Sequence, residues 1–222
     1  MKQRSLFDII SPIMTGPSSS HTAGAVRLGL MARNIYKEKP QKVIFKLYNS
    51  FAQTGKGHGT DKGLMAGLLG YSVDSNKIKN IFNDPEIKDI KYQYEYEQNI
   101  ERHPNAVDFL LYGKINMRIS GNSVGAGNIE ITKIEDFSTK ISGELNTLIL
   151  FYKDKPGMIS KVSTLIQKEN INIASLDCDR DAKGKTASMC ICLDSEISDS
   201  IIKAIEEIDD VYFVRNLKRL EE

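Results

Sequence analysis

Along the first 37 positions the apolar residues recur at helical spacing. "SLFDIISP", residues 5–12, reads as a short helix stopped by Pro12. Residues 18–37 read as a longer one, with Ala25, Leu28, Leu30 and Met31 on its apolar side and "KEKP" closing it. "KVIFKLYNSF" then has the β-branched and aromatic content of a strand, and "TDKGLMAGLLGY" returns to helical spacing interrupted by glycines. Four strand-length runs follow, "IKYQYEYE", "AVDFLLYG", "KINMRISG" and "NIEITKIEDF", divided by Gly, Asn and Pro, which predicts a mostly antiparallel sheet. Together these elements make a mixed α/β domain over residues 1–138.

"STKISGE", residues 138–144, is polar and carries little apolar signal, so a domain boundary is expected there. Beyond it the pattern is ordered. "LNTLILFYK" is a strand, and "DKPGMISKVSTLIQKEN" turns at Pro156-Gly157 into a helix with Ile159, Val162, Leu165 and Ile166 on one face. "INIASLDCDR" and "KTASMCICLD" are strands joined by "DAKG", "ISDSIIKAIEEI" is a helix and "VYFVRNL" a final strand. The order βαββαβ over residues 145–222 describes a ferredoxin-like unit with helices on one sheet face. The fold class expected for the whole chain is α+β.

Composition narrows the partners. Of 222 residues, 41% are hydrophobic, enough for a substantial core, and the formal net charge of +1 gives no electrostatic footprint for nucleic acid or an anionic membrane. A small molecule or another protein is the expected partner. No run approaches ~18 apolar residues and "MKQRSLFDIISP" lacks the features of a signal peptide, so a cytoplasmic protein is expected. Cys178, Cys190 and Cys192 crowd into one strand-rich stretch without a CxxC motif and read as buried reduced thiols.

The chemistry concentrates in two stretches. "TGPSSSHTAGAV", residues 15–26, sets three serines and His21 before a helix. Two readings are open: a helix cap with solvated neighbours, or an anion site in which free N–H groups and hydroxyls receive a carboxylate with His21 at its edge. "FAQTGKGHGTDKG", residues 51–63, fits neither G-x-x-x-x-G-K-[ST] nor G-x-G-x-x-G. It reads as a flexible loop that lets backbone approach a ligand and presents His58. The chain has three histidines, and two stand in these stretches, each just before a helix. No helix carries a His pair at i, i+4 and no cysteine is near, so acid–base use fits better than a metal and no metal ligands are assigned. His103, before a proline, reads as structural. "GNSVGAGNIEI", residues 121–131, is either a bulged hairpin or an anion-binding turn at Gly125 to Gly127.

Two resemblances follow from these residues. With its "DKPGMIS" turn, segment 145–216 resembles an ACT domain, which implies an amino-acid effector site at Asp154, Pro156 and Gly157, or a module that only self-associates. "SLFDIISPIMTGPSSSHTAGAVRLG" and "SFAQTGKGHGTDKG" resemble the β or small subunit of bacterial iron–sulfur-dependent L-serine dehydratases (L-serine ammonia-lyases), and the resemblance spans the chain. It implies a lyase that deaminates L-serine to pyruvate and ammonia by eliminating water. It further implies that a separate α subunit carries a [4Fe-4S] cluster, since the C-x-C spacing here does not suit cluster motifs. The chain, ending at Glu222, is then expected to belong to the two-subunit class and to be inactive alone. By the same resemblance, His21 and His58 face the cluster site as proton acceptor or donor. Ser18, Ser19, Ser20 and Thr22, with Gly57 and Gly59, orient substrate or brace the interface. The β domain also resembles a domain of some phosphoglycerate dehydrogenases, which implies a non-catalytic serine sensor as the alternative.

Overall fold

In the computed structural model, which describes residues 14–220, the chain divides into two units between Glu135 and Asp136. The helix expected over residues 5–12 lies outside the described residues. In the first unit a π turn over Ser19–Ala23 leads into α1 (Gly24–Tyr36), followed by β1 (Lys42–Tyr48), α2 (Asn49–His58) and α3 (Thr60–Leu68). Two 3-10 turns connect α3 to β2 (Lys91–Glu97), and β3 (Ala106–Tyr112), β4 (Met117–Gly125) and β5 (Asn128–Ile134) complete the unit. These strands lie in the order β2-β1-β3-β4-β5. Only β1 and β2, joined by a helical crossover, are parallel; the other neighbours are antiparallel.

Alternation along the strands sends Val43, Phe45 and Leu47 of β1 and Val107, Phe109 and Leu111 of β3 to one buried face, where Phe45 pairs with Phe109. Helices α1 and α3 cover that core at unusually short range. A Cβ at Gly67 would stand 2.0 Å from the Val26 carbonyl oxygen, and one at Gly29 would stand 2.4 Å from that of Leu64. Small residues at the crossing are what let the two backbones meet. The "GNSVGAGNIEI" stretch is the β4–β5 hairpin with register shifts, as its bulged reading expects.

The second stretch of unusual sequence departs from expectation. Residues 51–58 are not a flexible loop: α2 begins at Asn49, so the strand expected to run through Phe51 ends at Tyr48. Glycines weaken a helix by about 1 kcal/mol each, but tertiary packing decides here. Phe51 is fully buried, and Gly55 is buried with its α-carbon turned toward Thr60 and Leu47. The helix stops where Gly59 adopts φ +72° and its N–H returns to the Gly55 carbonyl.

The second unit holds β6 (Phe137–Ile141), β7 (Asn146–Lys153), α4 (Met158–Gln167), β8 (Ile173–Arg180), β9 (Thr186–Leu193), α5 (Asp199–Glu206) and β10 (Val211–Leu217). The order β10-β7-β9-β8, antiparallel throughout, is that of a ferredoxin-like βαββαβ sheet. Leu148, Leu150, Met189 and Ile191 meet Met158, Val162, Ile166, Ile201 and Ile205 of the two helices in its core. Ile159 is exposed rather than part of that stripe: α4 starts at Met158, and Met158, Val162 and Ile166 at i, i+4 and i+8 take the buried positions. The polar stretch after residue 137 is partly structured, because β6 buries Ile141, packs Phe137 on Phe151 at 5.2 Å and donates the Ser138 N–H to Asp179 at 2.9 Å. Cys190 and Cys192 are buried free thiols, whereas Cys178 is exposed, because it lies on the edge strand β8. Among the described residues no helix is long and apolar enough to cross a membrane.

Candidate functional site

Because β1 passes directly into α2, residues 50, 54 and 58 share one helix face at i, i+4 and i+8, and they point their groups at the π turn that carries His21. The ring of His21 lies 5.1 Å from that of His58, centroid to centroid, and edge-on to Phe51 at 5.2 Å. Its Nε2 is 3.4 Å from the Ser50 hydroxyl; its Nδ1 is 3.3 Å from the hydroxyl of Thr60 and 3.5 Å from that of Thr54. The Thr54 hydroxyl already donates to the Ser50 carbonyl at 3.0 Å, so toward His21 it offers lone pairs. Thr60 is fully buried. Burial, and then the charge of His58, hold the His21 imidazole below its ordinary range, so it is neutral near pH 7.

His58 is held differently. Its Nδ1 lies 3.0 Å from the Thr54 carbonyl oxygen, and a carbonyl can only accept, so Nδ1 carries the hydrogen. In the neutral ring, Nε2 is then an open lone pair on an exposed side chain. The carbonyl of His58 accepts the Thr22 hydroxyl at 2.8 Å, which ties the end of α2 to the π turn.

The serine string divides its work. Ser18 is a cap: its Oγ accepts the His21 N–H at 3.1 Å. Thr22 is buried and committed to the His58 carbonyl. Ser19 and Ser20 are half-buried and their hydroxyls donate to no described residue; the Ser20 carbonyl accepts the buried Ser123 hydroxyl at 2.8 Å. Gly57 is exposed with open space where a side chain would stand, and Gly59 makes the left-handed turn between α2 and α3. His103 accepts the Asn105 N–H on Nδ1 at 3.1 Å, a local turn contact. Ser50, Thr54 and Thr60 escaped the sequence reading; for Ser50 and Thr54 the helical spacing with His58 was the available signal, hidden by reading the glycines as a loop, whereas Thr60 opens the next helix and carried no such signal.

In the second unit, Asp154, Pro156 and Gly157 line a pocket of about 810 Å³ with Tyr152, Met158 and Arg180. The Gly184 N–H at 3.0 Å and the Arg180 guanidinium at 3.2 Å hold the Asp154 carboxyl below its usual range.

The donor set does not fit an iron–sulfur cluster. Cys190 and Cys192 alternate onto one face of β9, while Cys178 pairs with Met189 and so lies on the other. Among the described residues no three His, Cys, Asp or Glu side chains gather as a metal site would require.

Residues 5–133 match the serine dehydratase beta chain family, and residues 148–213 match the AHAS small subunit-like ACT domain. The chain is 36% identical over 218 residues to the probable L-serine dehydratase, beta chain, of Bacillus subtilis, covering 98% of this chain and 99% of that one. It is 34% identical over 209 residues to the L-serine dehydratase, beta chain, of Peptoniphilus asaccharolyticus, covering 92% and 94%. A D-3-phosphoglycerate dehydrogenase of Bacillus subtilis is 22% identical over 194 residues, covering 86% of this chain and 37% of that enzyme.

Proposed function

We propose, on the premise that this chain belongs to the serine dehydratase beta chain family, that it is the β subunit of a two-chain enzyme converting L-serine to pyruvate and ammonia. The observation that carries the reading is the His21–His58 pair, two imidazoles 5.1 Å apart on separate elements with one Nε2 left open.

Elimination of water from serine breaks the Cα–H bond, turns its electron pair into the Cα=Cβ bond and expels the hydroxyl; the aminoacrylate formed tautomerises and hydrolyses to pyruvate and ammonia. A base must sit within hydrogen-bond reach of that proton. His58 fills this role through Nε2, since its Nδ1–H stays on the Thr54 carbonyl and stabilises the ring as it becomes cationic. His21 stays neutral. Its burial and the cation forming on His58 both oppose a second charge, and its ring orients hydroxyls around the site. Ser19 and Ser20 orient the substrate carboxylate, and Ser18 and Thr22 brace the turn. The [4Fe-4S] cluster of such enzymes supplies Lewis-acid chemistry and belongs to the α subunit, since the thiols of this chain do not fit it. The pocket at Asp154, Pro156 and Gly157 takes an amino-acid effector, and the ACT unit self-associates.

Anaerobic capture of this chain from its own cells tests the assembly. A brown complex with one cysteine-rich second chain that releases pyruvate from L-serine supports the proposal. The similarity to a phosphoglycerate dehydrogenase favours a second reading, a non-catalytic serine sensor. Serine binding by a colourless chain without a partner would favour it.

A further inference from the structure

Asn49 is the first residue of α2 and has φ +51°, a left-handed conformation that asparagine and aspartate tolerate better than other L residues. Its surroundings fix it there. The Asn49 side-chain amide donates to the carbonyls of Asn99 at 2.8 Å, Arg102 at 3.0 Å and His103 at 3.4 Å, and its Oδ1 accepts the Asn99 N–H at 2.9 Å. The next turn of backbone joins the same loop, the Phe51 N–H donating to the Pro104 carbonyl at 3.3 Å. The loop is fixed in turn, because Arg102 ion-pairs with the buried Asp108 and stacks at 4.2 Å over Tyr48, whose hydroxyl donates to the same carboxylate at 3.0 Å.

This clamp grips the chain one residue before Ser50, whose hydroxyl meets Nε2 of His21, and two before Phe51, on whose ring His21 rests. We infer that Asn49 is a positioning residue: locked onto the loop at 99–103, it sets the entry of α2 so that Ser50 and Phe51 seat the His21 ring. The inference rests on the reading of His21 and His58 as the reactive pair.

The substitution Asn49→Asp tests it on the full chain. Aspartate keeps the size and tolerates φ > 0, but it turns a donor facing three carbonyls into an acceptor. The readout is the titration of the His21 ring by NMR. A loosened seat lets water reach His21, and its midpoint should rise toward the ordinary imidazole value. In the assembled enzyme kcat should fall about tenfold with KM little changed. Asn49→Gly, which accepts the left-handed turn without strain but lacks the amide, should move the titration in the same direction, and it carries the test if the aspartate variant does not fold. Tyr36→Phe removes a remote hydrogen bond to the Ile115 carbonyl and serves as the destabilised comparator. A His21 titration unchanged in folded Asn49 variants, or moved equally by Tyr36→Phe, would overturn the inference. Because this readout precedes any turnover, its failure is distinct from a failure of the base assignment, which His58 substitutions test.

Discussion

The Nδ1 of His58 donates to the carbonyl of Thr54, one helical turn earlier, at 3.0 Å. That single contact decides the tautomer and therefore which nitrogen can take a proton. Nitrogen-15 NMR of the histidine rings should find Nε2 of His58 unprotonated and Nδ1 protonated in the neutral form. A protonated Nε2 would remove the open lone pair on which the base role depends.

The Thr22 hydroxyl is the other tie on His58, reaching its backbone carbonyl at 2.8 Å from a buried position. Thr22→Val keeps the volume and deletes the bond. It should cost about 1 kcal/mol of stability by urea unfolding. In the assembled enzyme it should also lower kcat about tenfold, by loosening the end of α2. Unchanged unfolding would mean that the tie contributes nothing.

Two glycines should respond in opposite ways. Gly67→Ala places a Cβ 2.0 Å from the Val26 carbonyl, and prising α1 from α3 should cost about 3 kcal/mol, more than the ~1 kcal/mol that alanine returns in helix propensity. At Gly57 an added Cβ meets nothing within 4 Å, so Gly57→Ala should stabilise the chain by up to about 1 kcal/mol. Thermal unfolding of the two variants gives the comparison, and shifts of the same sign would contradict it.

The depressed His21 imidazole predicts a pH dependence. With the folded group below its ordinary value of 6.5, the unfolded chain binds the extra proton at intermediate pH. The stability contribution is therefore whole above pH 6.5 and is lost as pH falls through the window below it. Between about pH 7.5 and about pH 5.5, the urea midpoint of the natural chain should fall more than that of His21→Gln. Equal slopes would contradict the assignment.

The strands and the ACT-like unit were legible because β-branched residues alternate along them and because Pro156-Gly157 marks the entry to α4. The pairing of "SSSHT" with "GKGHGTD" was legible as rare chemistry in two places. The helix α2 was not, since Gly55, Gly57 and Gly59 have loop propensity and only tertiary burial of Phe51 and Gly55 outweighs it. With the helix hidden, the face shared by Ser50, Thr54 and His58 was hidden too. Nor does local sequence disclose that Asn49 sits left-handed, because its partners lie about fifty residues away.

The central claim is that this chain supplies the proton-accepting imidazole to a two-chain serine dehydratase. Its most direct test is the turnover of L-serine by the anaerobically assembled complex carrying His58→Ala, with the visible absorbance of the cluster as the control for assembly. The account predicts unchanged absorbance and a kcat lowered by about 10²–10⁴-fold. Turnover within a few-fold of the natural complex, at the same absorbance, would contradict it.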